Sequence, residues 1–304
     1  MPVIPTLPAF GVVPSPATTY PIRTVAGVDV VDLPGRLFVM GGPVDTDAPA
    51  HWVQVSGFSM GRTPVTAGLY NTIDGTREVA EGRQSHPMVE VSALEGDRFI
   101  VEFNKRHGTQ FGSPTEAEWE YAARGGEVNL RERMEGEGIK VADFVDWAKG
   151  RFENFFAHCL GSTIYGDPAG DDFQRVLKSA ATVYGYCVYG HPEGLDGEKV
   201  WYNKGGITSV TDEAAVKRAS RSGLIDLIGN VWEWVADRYD ENAYHTLSPI
   251  DPVSMTGENR VYRGGSGFNS NPDLMRAVCR LNGHPDYRDI VLGFRLALPA
   301  SQAS

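Results

Sequence analysis

Basic clusters, paired cysteines and long apolar runs are what this sequence lacks. Lysine and arginine total 28 against 39 aspartates and glutamates, a net charge of -11. Nucleic-acid binders neutralise phosphates with clustered Lys and Arg, so this balance excludes nucleic acid as a partner. Three cysteines are present, Cys159, Cys187 and Cys279. Their odd number and wide spacing predict neither a disulfide framework nor a CxxC metal knuckle, and free buried thiols are expected instead. His158 beside Cys159 and His191 near Cys187 lack a second half at zinc-site spacing, which leaves them core or surface residues. The glycine clusters lack the GxxxxGK[ST] order that cradles phosphate, and Lys204 stands on the wrong side of Gly205-Gly206. The N-terminus has no basic n-region, no continuous apolar run and many prolines, so neither a signal peptide nor membrane insertion is expected. A cytoplasmic or phage-associated protein is the expectation, ahead of a cell-surface one.

What is present is the composition of a globular protein: 41% apolar and 22% charged residues over 304 positions, enough for one large core. Residues 1–23 carry six prolines and are expected to form an extended arm. Residues 24–304 are expected to form a single domain. In it, Arg36 to Gly42 and His51 to Val55 are rich in β-branched and aromatic residues and predict an antiparallel strand pair. Ser92 followed by Glu95 has the capping-box spacing, which predicts a helix to about Lys105. Thr115 and Glu118 repeat the device, and Trp119, Ala122 and Ala123 at i, i+3 and i+4 predict a second helix ending at Gly125-Gly126. Glu116, Glu118 and Glu120 alternate along that helix, so they point different ways and form no acid/base pair. From about residue 127 to 219 no strong period emerges, as expected of loops and short elements inserted into a scaffold.

Four blocks in order, GRLFVMGG with GRTPVTAGLY, SPTEAEWEYAARGG, GLIDLIGNVWEW, and RGGSGF to GFRLAL, resemble the formylglycine-generating-enzyme (sulfatase-modifying-factor) branch of the C-type lectin fold. The resemblance covers about two thirds of the chain. It implies an α+β fold with much irregular structure and a central antiparallel sheet that pins the ends. It also implies a candidate structural Ca²⁺ near Asn230 and Glu233, the alternative being a metal-free polar network there. Enzymes of that branch hold copper and oxidise a substrate thiol with two cysteines, one shortly after the GGS motif and one five residues later. Counted from Gly264, those positions are Asn269 and Leu274, and neither side chain is a thiolate. No catalytic residue and no required cofactor are therefore expected. Ser266 falls one residue short of a GxSxG nucleophile motif and is expected to be structural.

The segment from Arg263 to Arg295 also resembles the variable region of proteins diversified by retroelements, in which template adenines are miscopied and Asn codons become NNY. NNY never encodes Lys, Glu, Gln, Trp or Met. The first four of these make up 37 of the 304 residues, so a window of 37 should hold about four or five; the window Gly264 to Ala300 holds none. Strands and turns are poor in Glu and Lys anyway, which accounts for part of the depletion. Met275 is the one non-NNY residue near the blocks. The expected fixed frame is Arg263-Gly264-Gly265, Arg276, Arg280, Pro285, Arg288 and Gly293-Phe294-Arg295, its arginines tied to backbone carbonyls and to carboxylates such as Asp286. The expected variable, ligand-binding positions are Asn269, Ser270, Asn271, Asp273, Leu274, Cys279, Leu281, Asn282, Gly283, His284, Tyr287, Asp289, Ile290 and Val291. Their mixed chemistry suits a paratope-like surface for a protein or cell-surface ligand. The competing expectations are a copper-dependent thiol oxidoreductase and an inert accessory domain. The sequence leaves the oligomeric state open.

Overall fold

A computed structural model describes residues 20–41, 48, 51–124, 200–220 and 222–299. Strands β1 (Ile22–Val25) and β2 (Val28–Leu33) form a hairpin, followed by the antiparallel pair β3 (Arg36–Met40) and β4 (His51–Val55) that the sequence predicts. Ile22 and Arg23, the last residues of the expected Pro-rich arm, pair in β1, and residues 1–19 lie outside the described residues. Strand β5 (Phe58–Gly61) lies between β2 and the C-terminal β10 (Ala297–Pro299). One sheet therefore ties the two ends of the described chain together, in the order β1-β2-β5-β10.

Helix α1 (Ala67–Asn71) is short, whereas α2 (Ala93–His107) and α3 (Glu116–Ala123) both carry complete capping boxes on Ser92/Glu95 and Thr115/Glu118. Gly108 adopts a left-handed φ of 66° and ends α2, a conformation that costs glycine little. Helix α2 buries Phe99, Ile100 and Phe103 and leaves Leu94 and Val101 to solvent, as one-sided burial requires. Helix α3 differs. Seven of its eight residues are buried, among them Trp119 and Tyr121, so it has almost no solvent face.

After α4 (Glu213–Lys217) come β6 (Trp232–Arg238), α5 (Ala243–Thr246), β7 (Arg260–Arg263), a 3-10 turn at Pro272–Met275, β8 (Arg280–Gly283) and β9 (Leu292–Phe294). They build a second four-stranded sheet in the order β8-β7-β6-β9, antiparallel except for the β6–β9 pair. This is the mixed, irregular α+β architecture expected.

The described part of the expected insertion, residues 200–219, is built into the fold rather than laid upon it. Gly229, at φ +84°, passes so close to Trp201 that a Cβ would stand 2.7 Å from the Trp201 carbonyl oxygen. That oxygen also accepts the Asn230 N–H. Arg218 and Asp226 pair at 2.7 Å in the interior. The expected helix stop at Gly125-Gly126, together with His158, Cys159, Cys187 and His191, lies outside the described residues.

Candidate recognition surface

The three glutamates of α3 have different partners, and Glu118 serves the cap. Its carboxylate accepts the Thr115 N–H at 2.8 Å, closing the cap. Glu116 and Glu120 are buried and form the anchor of the C-terminal segment. Arg280 of β8 donates to both oxygens of Glu116 at 2.9 Å, and its guanidinium lies between the Tyr239 and Tyr244 rings. Arg263 of β7 donates to Glu120 and to the Val278 carbonyl, with its guanidinium over the Trp119 ring. Arg124 holds the other oxygen of Glu120 at 2.6 Å. Burial alone would raise the Glu120 pKa, but Arg124 and Arg263 outweigh it and hold the carboxyl below its usual range.

The third buried arginine follows the same plan. Arg295 donates to both oxygens of Glu233 and to the Gly61 and Ile225 carbonyls, so one side chain joins β6 to the first sheet. Trp119 adds its indole N–H to Glu233 at 2.9 Å. Both Glu233 oxygens face donors, which is the wrong environment for a cation. Asn230 accepts the Thr208 N–H and donates to Asp226 and the Thr208 carbonyl. The expected Ca²⁺ near Asn230 and Glu233 does not fit these residues; the metal-free network does.

Arg280, Arg288 and Arg295 thus work as bidentate ties to carboxylates, those of Glu116, Glu95 and Glu233 rather than Asp286, and Arg263, Arg276 and Arg295 donate to backbone carbonyls. Arg288 pairs with the capping glutamate Glu95 at 2.8 Å, while Asp286 is exposed, with an oxygen 3.7 Å from the His284 Nδ1. Glu95 also takes Arg77 at 2.9 Å. Burial opposes the shift, yet Arg288, the Ser92 N–H and Arg77 bring the Glu95 pKa down to about 2. Asp237 moves the other way: burial and the nearby Glu116 raise its carboxyl to about 7, despite N–H donors from Ser254 and Glu116.

Between these ties stand the fourteen expected variable positions. None of them is buried: Ser270, Asn271, Asp273, His284, Tyr287 and Ile290 are exposed, and the other eight are half-buried. Buried instead are Arg263, Gly264, Gly265, Arg280, Gly293, Phe294 and Arg295, along with Met275 at 0% exposure. Of the expected frame, Arg276 and Pro285 are half-buried and Arg288 is exposed, so the fixed and replaceable sets alternate along the chain and separate by burial only in part.

Several of the fourteen also shape the surface. Asn269 accepts both the N–H and the hydroxyl of Ser266, and Asn271 accepts the Asp273 N–H at the start of the 3-10 turn. Asn282 accepts from Asn259 at 2.7 Å. Tyr287 donates its hydroxyl to Asp289, which also accepts the Val291 N–H. Leu274, Cys279, Leu281 and Val291 pack against the cluster that holds Trp232, Trp234 and Leu292, as does Tyr262. Tyr262 meets both tryptophans edge-on, at 5.5 and 5.2 Å between ring centroids. Asn259 and Tyr262 lie outside the segment marked by the sequence; the hydrogen bond to Asn282 reveals the first and the β7–β8 register, Tyr262 opposite Leu281, the second. Ser266, buried and held by Asn269, has the structural role expected of it.

Residues 19–300 match the domain family described as sulfatase-modifying factor enzyme 1-like. The chain belongs to this family. A formylglycine-generating enzyme of Streptomyces coelicolor is 30% identical over 234 residues, covering 76% of this chain and 58% of the relative. An inactive C-alpha-formylglycine-generating enzyme 2 of Bos taurus is 25% identical over 244 residues, covering 79% of this chain and 59% of its own, so the relatives include a protein without the activity. The chain spans about three fifths of the length of these curated relatives. Among solved structures, Treponema denticola variable protein 1 superposes with a TM-score of 0.58 at 20% identity, covering 92% of this chain and 98% of that one. The family and this likeness establish the C-type lectin fold of the formylglycine-generating-enzyme type.

At the two positions counted for the family's thiolates, Asn269 is a turn residue and Leu274 a half-buried packing residue. Cys279 is half-buried. Among the described residues no three His, Cys, Asp or Glu side chains gather as a metal site. A two-thiolate copper centre does not fit the side chains at these positions.

Proposed function

We propose that this protein is a ligand-binding protein whose C-terminal surface is diversified by a retroelement to meet varied protein or cell-surface ligands. The observation that carries the reading is the sorting by burial: all fourteen positions that NNY replacement would reach are exposed or half-buried, whereas the interleaved arginines, glycines and Met275 are mostly interior. A surface tolerates replacement where a close-packed interior does not. The fold likeness to a protein named a variable protein supports the same reading. Tyr287 and Ile290 offer exposed apolar contact area, and Asn271, Asp273 and His284 offer adaptable hydrogen bonds.

Binding is favoured over copper-dependent thiol oxidation because Asn269 and Leu274 supply no thiolate. The reading requires a near-copy of the DNA encoding Arg263 to Arg295 close to the gene, differing at adenines, with a reverse transcriptase gene beside it. Sequencing the locus tests this, and absence of both elements removes the diversification. Copper titration with a thiol-peptide oxidation assay tests the alternative: copper-dependent turnover that survives Cys279→Ser would overturn a purely binding role.

A further inference from the structure

A groove of about 290 Å³ opens on the first sheet, between β2, the segment 62–69 and the segment 210–216. None of the fourteen surface positions lines it. Its volume is at the lower end for small-ligand sites, which begin near ~300 Å³. Val28 and Val65, nearly buried, and the exposed Val216 give it an apolar wall.

Arg62 supplies the charge. Its Nε donates to the Gly223 carbonyl at 3.3 Å, and among the described residues its two terminal nitrogens have no hydrogen-bond acceptor or carboxylate partner. The buried arginines Arg218, Arg263, Arg280 and Arg295 are each paired with a carboxylate; Arg62, half-buried, is held at one nitrogen with its two terminal nitrogens left over. Such a fork matches the two oxygens of a carboxylate. Hydroxyls of Thr63 and Thr211 on the same lining can add donors.

Asp29 lines the groove too, its carboxylate already accepting the Thr24 hydroxyl at 2.6 Å. A second negative charge on the ligand would meet that carboxylate, so the groove selects a single negative charge over a dianion. We infer that this groove binds a small aliphatic carboxylate, with Arg62 gripping the head group and Val28, Val65 and Val216 covering the tail. The shared chemistry has two sources, a free short-chain acid or the C-terminus of a peptide ending in an aliphatic residue.

Titration of isovalerate and of N-acetylleucine into the isotope-labelled full chain, followed by NMR, tests the assignment, with isovaleramide and inorganic phosphate as controls. The expected result is shifts at groove residues with millimolar isovalerate, about tenfold weaker binding of the amide, and about tenfold weaker binding to Arg62→Gln. Phosphate should bind much more weakly than isovalerate. Val216→Trp, which fills the groove from its exposed rim, should abolish binding with Arg62 intact. Tighter binding of N-acetylleucine than of isovalerate assigns the site to a peptide C-terminus, and the reverse assigns it to a free acid. Absence of shifts, equal binding of the amide, no change in Arg62→Gln, or phosphate binding as well as isovalerate would each overturn the inference.

Discussion

Arg280 and Leu281 are neighbours in the chain and opposites in the molecule. Arg280 is buried, bidentate to Glu116 and stacked between two tyrosines, whereas Leu281 lies half-buried on the proposed recognition surface. The same contrast recurs along the segment, as between buried Met275 and exposed Asp273, or buried Phe294 and half-buried Val291. Sheet alternation explains only part of it, because much of the segment is irregular. The division rests on long-range ties: the carboxylates that fix the arginines sit on α3 and β6, outside the segment. A loop held by partners elsewhere can change its exposed side chains without losing its path.

Breaking the frame should have the largest effect. Arg295→Met leaves Glu233 buried without its countercharge and should destabilise the fold by about 3–5 kcal/mol, read from chemical denaturation. Next comes pH. Asp237, at about 7 when folded against an ordinary value of 3.8, holds a proton that the unfolded chain releases over that interval. The native state binds more protons there, so stability falls as pH rises from about 4 to about 7, by on the order of a few kcal/mol. Asp237→Asn should flatten this part of the stability profile, and an unchanged slope would assign it to another group. Glu95 acts oppositely: its folded value near 2 gives stability that is present above the ordinary carboxyl range and lost as pH falls toward 2.

A backbone test is expected to be smaller. Gly229→Ala forces a side chain into a left-handed conformation against the Trp201 carbonyl and should cost about 1–3 kcal/mol by thermal unfolding. Smallest are the blocks themselves. Ser270→Tyr, His284→Asn and Ile290→Ser, all at exposed positions, should each stay within about 0.5 kcal/mol of the parent protein. A loss of several kcal/mol at any of them would sharpen the comparison by moving that residue into the frame.

Local signals were legible in the sequence and long-range ones were not. Ser92/Glu95 and Thr115/Glu118 announce their helices because a capping box closes within four residues. The β3–β4 pair is legible because both runs are rich in β-branched and aromatic residues. Alternation along α3 does not reveal that Glu116 and Glu120 are buried anchors, because the helix is buried almost all round. Their partners, Arg280 and Arg263, stand 164 and 143 residues away, a pairing no window of sequence contains. The frame is legible through a resemblance, and its ties to backbone carbonyls are present, but the carboxylates are Glu95, Glu116, Glu120 and Glu233 rather than Asp286. Residues 200–219 looked like part of an insertion because their ties to Gly229, Asn230 and Asp226 are made by backbone groups and single polar side chains, which leave no periodic pattern.

The central claim is that the fourteen surface positions are replaceable and the interleaved frame is not. Two libraries test it directly, one with NNY codons at all fourteen positions and one with the same codons at Arg263, Gly264, Gly265, Met275, Arg280, Gly293, Phe294 and Arg295, both displayed and sorted by protease resistance. Most members of the first library are expected to remain folded, and nearly all of the second to be digested. Comparable survival in the two, or collapse of the first, would contradict the account.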